Sequence, residues 1–218
     1  MYSQELDLEL QLIQDTEIRD FTKMILVNIV HPLFYRKPAS STGKYHPESS
    51  LGDGGLLRHT KMVVAIANII CNSNMFMDTR ISWSVIFSAC ILHDAWKYDQ
   101  DGQYHSTKLH ATKAVDSINA FVEHENVFVV KPDWYFDILN CIFTHNGFHV
   151  SSESMPIERM NINQRIVHIA DMISSRRYIE FDLEEYKKSF AITPSLPAAP
   201  KQKPDKELPK GFDGDMVL

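Results

Sequence analysis

Apolar residues in this chain recur at helical spacing in segment after segment, and this pattern restricts the fold more than any other feature. Within 161–180, Ile162, Ile166, Ile169 and Ile173 step by three or four residues and so share one face of a helix. Within 4–34, Ile18, Phe21, Ile25 and Ile29 do the same. The alternating LDLELQL start of that segment is ambiguous with a strand, but its Glu, Gln and Leu content favours helix. Helices are also predicted over about 54–72 (Leu56, Thr60, Val63, Val64, Ala67, Ile70 inward), 81–96 (Val85, Ile86, Ala89, Leu92) and 106–123 (Leu109, Val115, Ile118, Val122). Pro132 suits the first position of a further helix through Thr144. Only Val127 to Val130 hints at a period of two. The expected fold class is all-α.

The breaks between these segments divide the chain. Pro32 and Pro38 end the first, and the Ser-, Gly- and Pro-rich stretch 35–55 reads as a long loop, a kind often functional in compact domains. Beyond about Thr193 the sequence holds half of the chain's 10 prolines and is expected to be extended or disordered, or laid as a strap across the domain. The expected organisation is N-terminal helices (1–36) packed on a helical domain (37–190), followed by an irregular Pro-rich tail (191–218). The formal charge of −6 does not make an electrostatic trap for long nucleic acid, but it allows a local basic pocket for a small phosphate ligand. No run of about 18 apolar residues predicts a membrane span. The acidic start MYSQELDLEL lacks the basic flank of a secretory signal. Cys71, Cys90 and Cys141 sit in apolar runs without metal-type pairing, as buried thiols of a reducing compartment do. A cytoplasmic protein is expected.

Histidine is the unusual residue here: there are 10, several inside apolar segments. His93 and Asp94 close the apolar run Trp83–Leu92. A carboxylate there loses hydration and needs a partner, which a divalent cation or Lys97 can supply. His59 lies beside the buried stripe of its helix, where it could equally be a satisfied core histidine. Asp171 lies in the mostly apolar RIVHIADMIS, with no Lys or Arg three or four residues away, so a metal or a salt bridge from a neighbouring helix must serve it. One bound metal explains all three anomalies more economically than three separate accidents. Imidazole nitrogen with carboxylate oxygen suits Mn, Fe, Zn, Co or Ni.

The order His59, His93-Asp94, Asp171, in the local sequences GGLLRHT, ILHDAWK and HIADMIS, resembles the HD superfamily of metal-dependent phosphohydrolases. The likeness covers about residues 44–180 and implies an HD-type helical bundle. It implies one ion on His59, His93, Asp94 and Asp171. A second ion, as in dinuclear members, would lie on Asp94, His110 and His145. Spacing leaves His105 and His149 open as alternatives to the last two. His168 reads as a core residue or an orienting partner, and His31 and His124 as surface residues. The resemblance also implies that Lys97 faces a phosphate, that Arg176 or Arg177 grips one, and that His46, in the long loop, contacts one. Lys108 and Lys113 are further candidates.

The activity so implied is hydrolysis of a phosphoester or phosphoanhydride of a nucleotide-type substrate by metal-activated water, with Asp94 and Lys97 as the catalytic residues. GGLLRHT is similar to HD-type 3′–5′ exoribonucleases, although no OB-type nucleic-acid-binding module is visible. The region of Asp171 is more similar to dinucleoside-polyphosphate hydrolases. Short single-stranded oligonucleotides therefore stay open as substrates, and a homo-oligomer is compatible. Two readings of other classes also stand: a di-iron oxygenase built on the same six ligands, and a non-catalytic regulatory module.

Overall fold

An apolar helix with no polar face must be surrounded, and Trp83–Leu92 is that helix here. Every residue from Val85 to Leu92 is buried. A computed structural model describes residues 4–40, 42–73, 81–98, 110–147 and 155–192. Among these it contains α1 (Asp7–Gln11), α2 (Thr16–Asn28), α3 (Gly55–Asn72), α4 (Trp83–Leu92), α5 (His110–His124), α6 (Asp133–Thr144), α7 (Ile162–Ser174) and α8 (Leu183–Ile192), with short 3-10 turns between some of them. No β-strand occurs among the described residues, so the protein is all-α. α4 is the central element: α1, α2, α3, α6 and α7 all pack against it, and α5 packs on α6. One hydrophobic cluster runs from Leu6 of the N-terminal segment to Ala170 of α7.

Polar contacts within this core fix how the helices sit. The hydroxyls of Thr22 (α2) and Ser88 (α4) meet at 2.7 Å, both buried; Thr22 donates to the Ile18 carbonyl and so accepts from Ser88. The backbone N–H of Ser82, before α4, donates to Asn163 Oδ1 at the start of α7 (3.0 Å). α7 itself opens with a reciprocal cap between Asn161 and Gln164. The long loop between α2 and α3 is tied by Arg58, which donates to the carbonyls of Ser49, Leu51 and Asp53. Gly55 lets that loop close, because a Cβ there would run into the Ser50 carbonyl.

The helix boundaries depart from the periodicity in instructive ways. The first segment splits in two because Asp15 accepts from the N–H groups of Glu17 and Ile18 and starts a new helix. α4 stops at Leu92 rather than 96, where the His93 ring caps the Cys90 carbonyl. α7 stops at Ser174 rather than 180; the Ser174 hydroxyl donates to the Asp171 carbonyl and competes with the backbone ladder. Pro132 is the residue before α6 rather than its first. Val127–Val130 forms no strand; it follows a turn at Asn126 (φ 51°), and Val129 and Val130 are exposed. α8 has no counterpart in the apolar pattern. Asp182 caps it, and Tyr186 Oη accepts from Asn68 of α3. The Pro-rich stretch beyond residue 192, together with His105, Lys108 and His149, lies outside the described residues. No described helix is long and apolar enough to cross a membrane.

Candidate metal centre

Two histidines reach the interior by the same device. His93 and His145 occupy the positions just after the last residues of α4 and α6. Each uses Nδ1–H to cap a helix-end carbonyl three residues back: His93 to Cys90 (2.7 Å) and His145 to Ile142 (2.6 Å). Because a carbonyl only accepts, Nδ1 carries the proton, and in a neutral ring Nε2 carries the lone pair. Both Nε2 atoms then face inward. His59, on α3, is held in the same sense. Its Nδ1 lies 3.3 Å from Ser174 Oγ, whose own proton is committed to the Asp171 carbonyl, so the hydroxyl accepts. His110 begins α5 and lies 3.0 Å from His145, Nε2 to Nε2.

These nitrogens converge on two carboxylates. His59 Nε2 is 3.4 Å from Asp94 Oδ2 and 3.1 Å from Asp171 Oδ1. His93 Nε2 is 3.4 Å from Asp94 Oδ2, 3.7 Å from Asp171 Oδ1 and 3.4 Å from His59 Nε2. On the other side of the same aspartate, Asp94 Oδ1 is 2.9 Å from His110 Nε2 and 3.7 Å from His145 Nε2. Donors about 2.1 Å from a metal stand roughly 3.0 Å apart in an octahedron and roughly 3.4 Å apart in a tetrahedron. The observed separations, 2.9 to 3.7 Å, bracket those values. Two groups of potential metal ligands can be drawn from the cluster: His59, His93 and Asp171, and His93, Asp94 and His145.

The donor chemistry fits a transition metal. Lone pairs of neutral imidazoles facing one another and two carboxylates repel unless a cation lies among them. Asp94 Oδ1 gives the clearest indication: it is buried, His110 Nε2 (2.9 Å) and His145 Nε2 (3.7 Å) face it, and unless His110 carries its proton on Nε2 the oxygen has no hydrogen-bond partner. A buried carboxylate oxygen left so is costly, and a cation relieves the cost. Nitrogen-rich sets of this kind suit Mn, Fe, Zn, Co or Ni better than the all-oxygen environments of Ca or Mg.

The surroundings keep the carboxylates ionised. Burial works against charge on Asp94, but Lys97, His93 and His110 outweigh it and hold the carboxyl well below the usual range. Asp171 is likewise held low, burial being overcome by the neighbouring imidazoles of His59, His93 and His145. Burial also opposes protonation of His93, but Asp94 and Asp171 raise its pKa overall. His110 is lowered, chiefly by burial. Lys97 is itself buried and donates to Asp94 Oδ2 at 2.7 Å.

The remaining candidates lie around the Asp171 side. His46 packs edge-on against the His59 ring (5.2 Å between centroids), and its Nε2 lies 3.4 Å from Ser175 Oγ. Burial, with His59 and Lys97 nearby, pushes its pKa down to about 3. Arg176 is half-buried with its guanidinium on Met172 Sδ (3.3 Å), and Arg177 is exposed. Neither makes a polar contact with the cluster among the described residues. Lys113 lies on α5. Two participants escape sequence reasoning: Ser174, which orients His59, and Asn146, whose amide nitrogen is 3.3 Å from His110 Nε2; His168, read as a core residue or an orienting partner, bonds the His145 carbonyl. Only Ser174 carried a signal, its position three residues after Asp171 on one helix face.

Comparison of the chain with protein-family models, curated proteins and solved structures returned no match.

Proposed function

We propose that this protein is a metal-dependent phosphohydrolase of the HD type, acting on a phosphoester or phosphoanhydride of a small nucleotide-like substrate. The observation that carries this reading is the division of Asp94, with Oδ2 turned to His59 and His93 and Oδ1 turned to His110 and His145. A single carboxylate so placed suits two adjacent cations, and the order of these residues along the chain supports the resemblance to the HD superfamily. A divalent cation held here supplies Lewis acidity and brings the pKa of water down from 15.7 to about 7.

The chain's own residues do the rest. Lys97 keeps Asp94 ionised and adds positive charge beside the place where a phosphoryl group would meet the cluster. His93 and His145 are held by helix-end carbonyls, and His59 by Ser174, so the donor atoms are oriented before any ligand arrives. Asp171 is the most accessible of the ion-paired cluster residues, at 15 % exposure against 0–2 % for His59, His93, Asp94, His110 and His145. Substrate therefore approaches on the Asp171 side, where His46, Ser175 and Arg176 can meet phosphoryl oxygens and Arg177 can reach from the surface. The net charge of −6 favours a small ligand over a polymer.

The test is metal analysis joined to a phosphate-release screen over nucleoside triphosphates, monophosphates, dinucleoside polyphosphates and short oligonucleotides. Metal-dependent release that disappears in Asp94→Ala supports the reading. Oxygen consumption by the iron-loaded protein, with no phosphate release on any substrate, would transfer the same ligands to an oxygenase.

A further inference from the structure

His168 is buried on α7, three residues before Asp171, and does not belong to the donor set. Its Nδ1 donates to the His145 carbonyl across 2.6 Å. The acceptor is a carbonyl, so the proton on Nδ1 is required, and the bond is short. The ring also fills the space beside Gly147. A Cβ added at Gly147 would lie 2.5 Å from His168 Cε1 and 3.1 Å from each ring nitrogen. Gly147 has φ +65°, a conformation that glycine adopts without strain. The turn His145-Asn146-Gly147 is thus seated on the His168 ring, and that turn brings both His145 Nε2 and the Asn146 amide to His110.

Resting on the metal-site reading above, we propose that His168 is a positioning residue for the His110–His145 half of the centre, acting through the His145 backbone and the Gly147 turn. The same face of α7 supplies Asp171 to the His59–His93 half. One helix therefore sets the spacing between the two halves: Asp171 is a donor in one, and His168 fixes the backbone from which a donor of the other hangs. The His145 ring is already oriented by its own Nδ1 bond to Ile142, so His168 does not choose the tautomer. It fixes where the C-terminal end of α6 delivers that ring.

Removing the orienting partner of a metal ligand commonly weakens binding 10–100-fold. His168→Leu keeps bulk and loses the donor, so it should weaken the second of two metal equivalents by about 10–100-fold while leaving the first unchanged. His168→Asn places an amide N–H near the position of Nδ1 and should restore the second equivalent. Gly147→Ala, which drives a Cβ into the ring, should behave like His168→Leu. The experiment is Mn(II) or Co(II) titration of full-length apo-protein followed by calorimetry, with the Co(II) visible spectrum reporting each site. Amide hydrogen exchange at Asn146 and Gly147 is measured in the apo state. Loss of the second equivalent, faster exchange at 146–147, and rescue by Asn support the proposal. Equal second-site affinity in His168→Leu and wild type, or loss that Asn does not restore, overturns it. If the wild type binds no metal, the metal-site reading fails by itself. Exchange at 146–147 then still decides the lock, and equal protection in His168→Leu and wild type overturns it.

Discussion

Replacing Lys97 by methionine tests how the centre is held when no cation is bound. Lys97 and Asp94 are 4 % and 2 % exposed and 2.7 Å apart. Removing one partner of a buried ion pair costs roughly 3–5 kcal/mol, because the other charge stays buried. Here His93 lies 3.4 Å from the same carboxylate oxygen and has a raised pKa, so it can take up a proton and soften the loss. The lower end, about 3 kcal/mol, is therefore expected. That is a large part of a total stability of about 5–15 kcal/mol. With a urea m-value of about 2 kcal/mol/M the midpoint falls by about 1.5 M. A cation takes over the neutralising role of the ammonium, and at about a thousand times Kd it stabilises a protein by about 4 kcal/mol. Lys97→Met should therefore be much less stable than wild type in chelator and close to it in saturating Mn(II), with tighter metal binding. Urea denaturation in both conditions is the assay. Equal midpoints of variant and wild type in chelator, or equal metal-induced shifts, would show that Lys97 does not neutralise Asp94 in the metal-free protein.

Other expectations concern pH and the loop. His46 and His110 have folded-state pKa values below the ordinary imidazole value, so each contributes stability that is present above about 6.5 and lost as pH falls. His93 is raised, so its contribution is present below about 6.5 and lost as pH rises through its folded pKa. Apo-protein stability should peak near pH 6.5, and His46→Asn should flatten the acid limb by up to about 1.4 kcal/mol per pH unit; urea midpoints across pH 4.5–8.5 that rise steadily with pH contradict this. Gly55→Ala should destabilise by about 1–3 kcal/mol, because its Cβ meets the Ser50 carbonyl; an unchanged melting temperature would show that the loop yields freely.

What could be read in the sequence was the conflict between residue type and surroundings. His59, His93, Asp94 and Asp171 stood out because apolar helices rarely carry such groups unaided, and the structure brings both imidazoles within 3.1–3.7 Å of both carboxylates. Helix positions were legible for the same reason: apolar periodicity reports a buried face. Helix ends were not, because they are decided by single side-chain contacts, such as Ser174 on the Asp171 carbonyl and His93 on the Cys90 carbonyl. α8 was missed because Glu184, Glu185, Lys187 and Lys188 interrupt its apolar positions; the Asp182 cap and the Asn68–Tyr186 bond help to hold it. Lys97 illustrates a limit of another kind. Spacing put it near Asp94, but only the burial of both groups shows that the first claim on its charge is Asp94 itself. For His168 the sequence left a core residue and an orienting partner both open, because the carbonyl it serves lies 23 residues away in the chain.

Whether Asp94 organises a transition-metal centre is decided by elemental analysis of wild type and Asp94→Ala after dialysis against a Mn, Fe, Zn, Co and Ni mixture, with far-UV circular dichroism on the same samples. Up to two equivalents are expected in the wild type, with both lost in Asp94→Ala at unchanged helical signal. Equal metal content in the two helical proteins would contradict this.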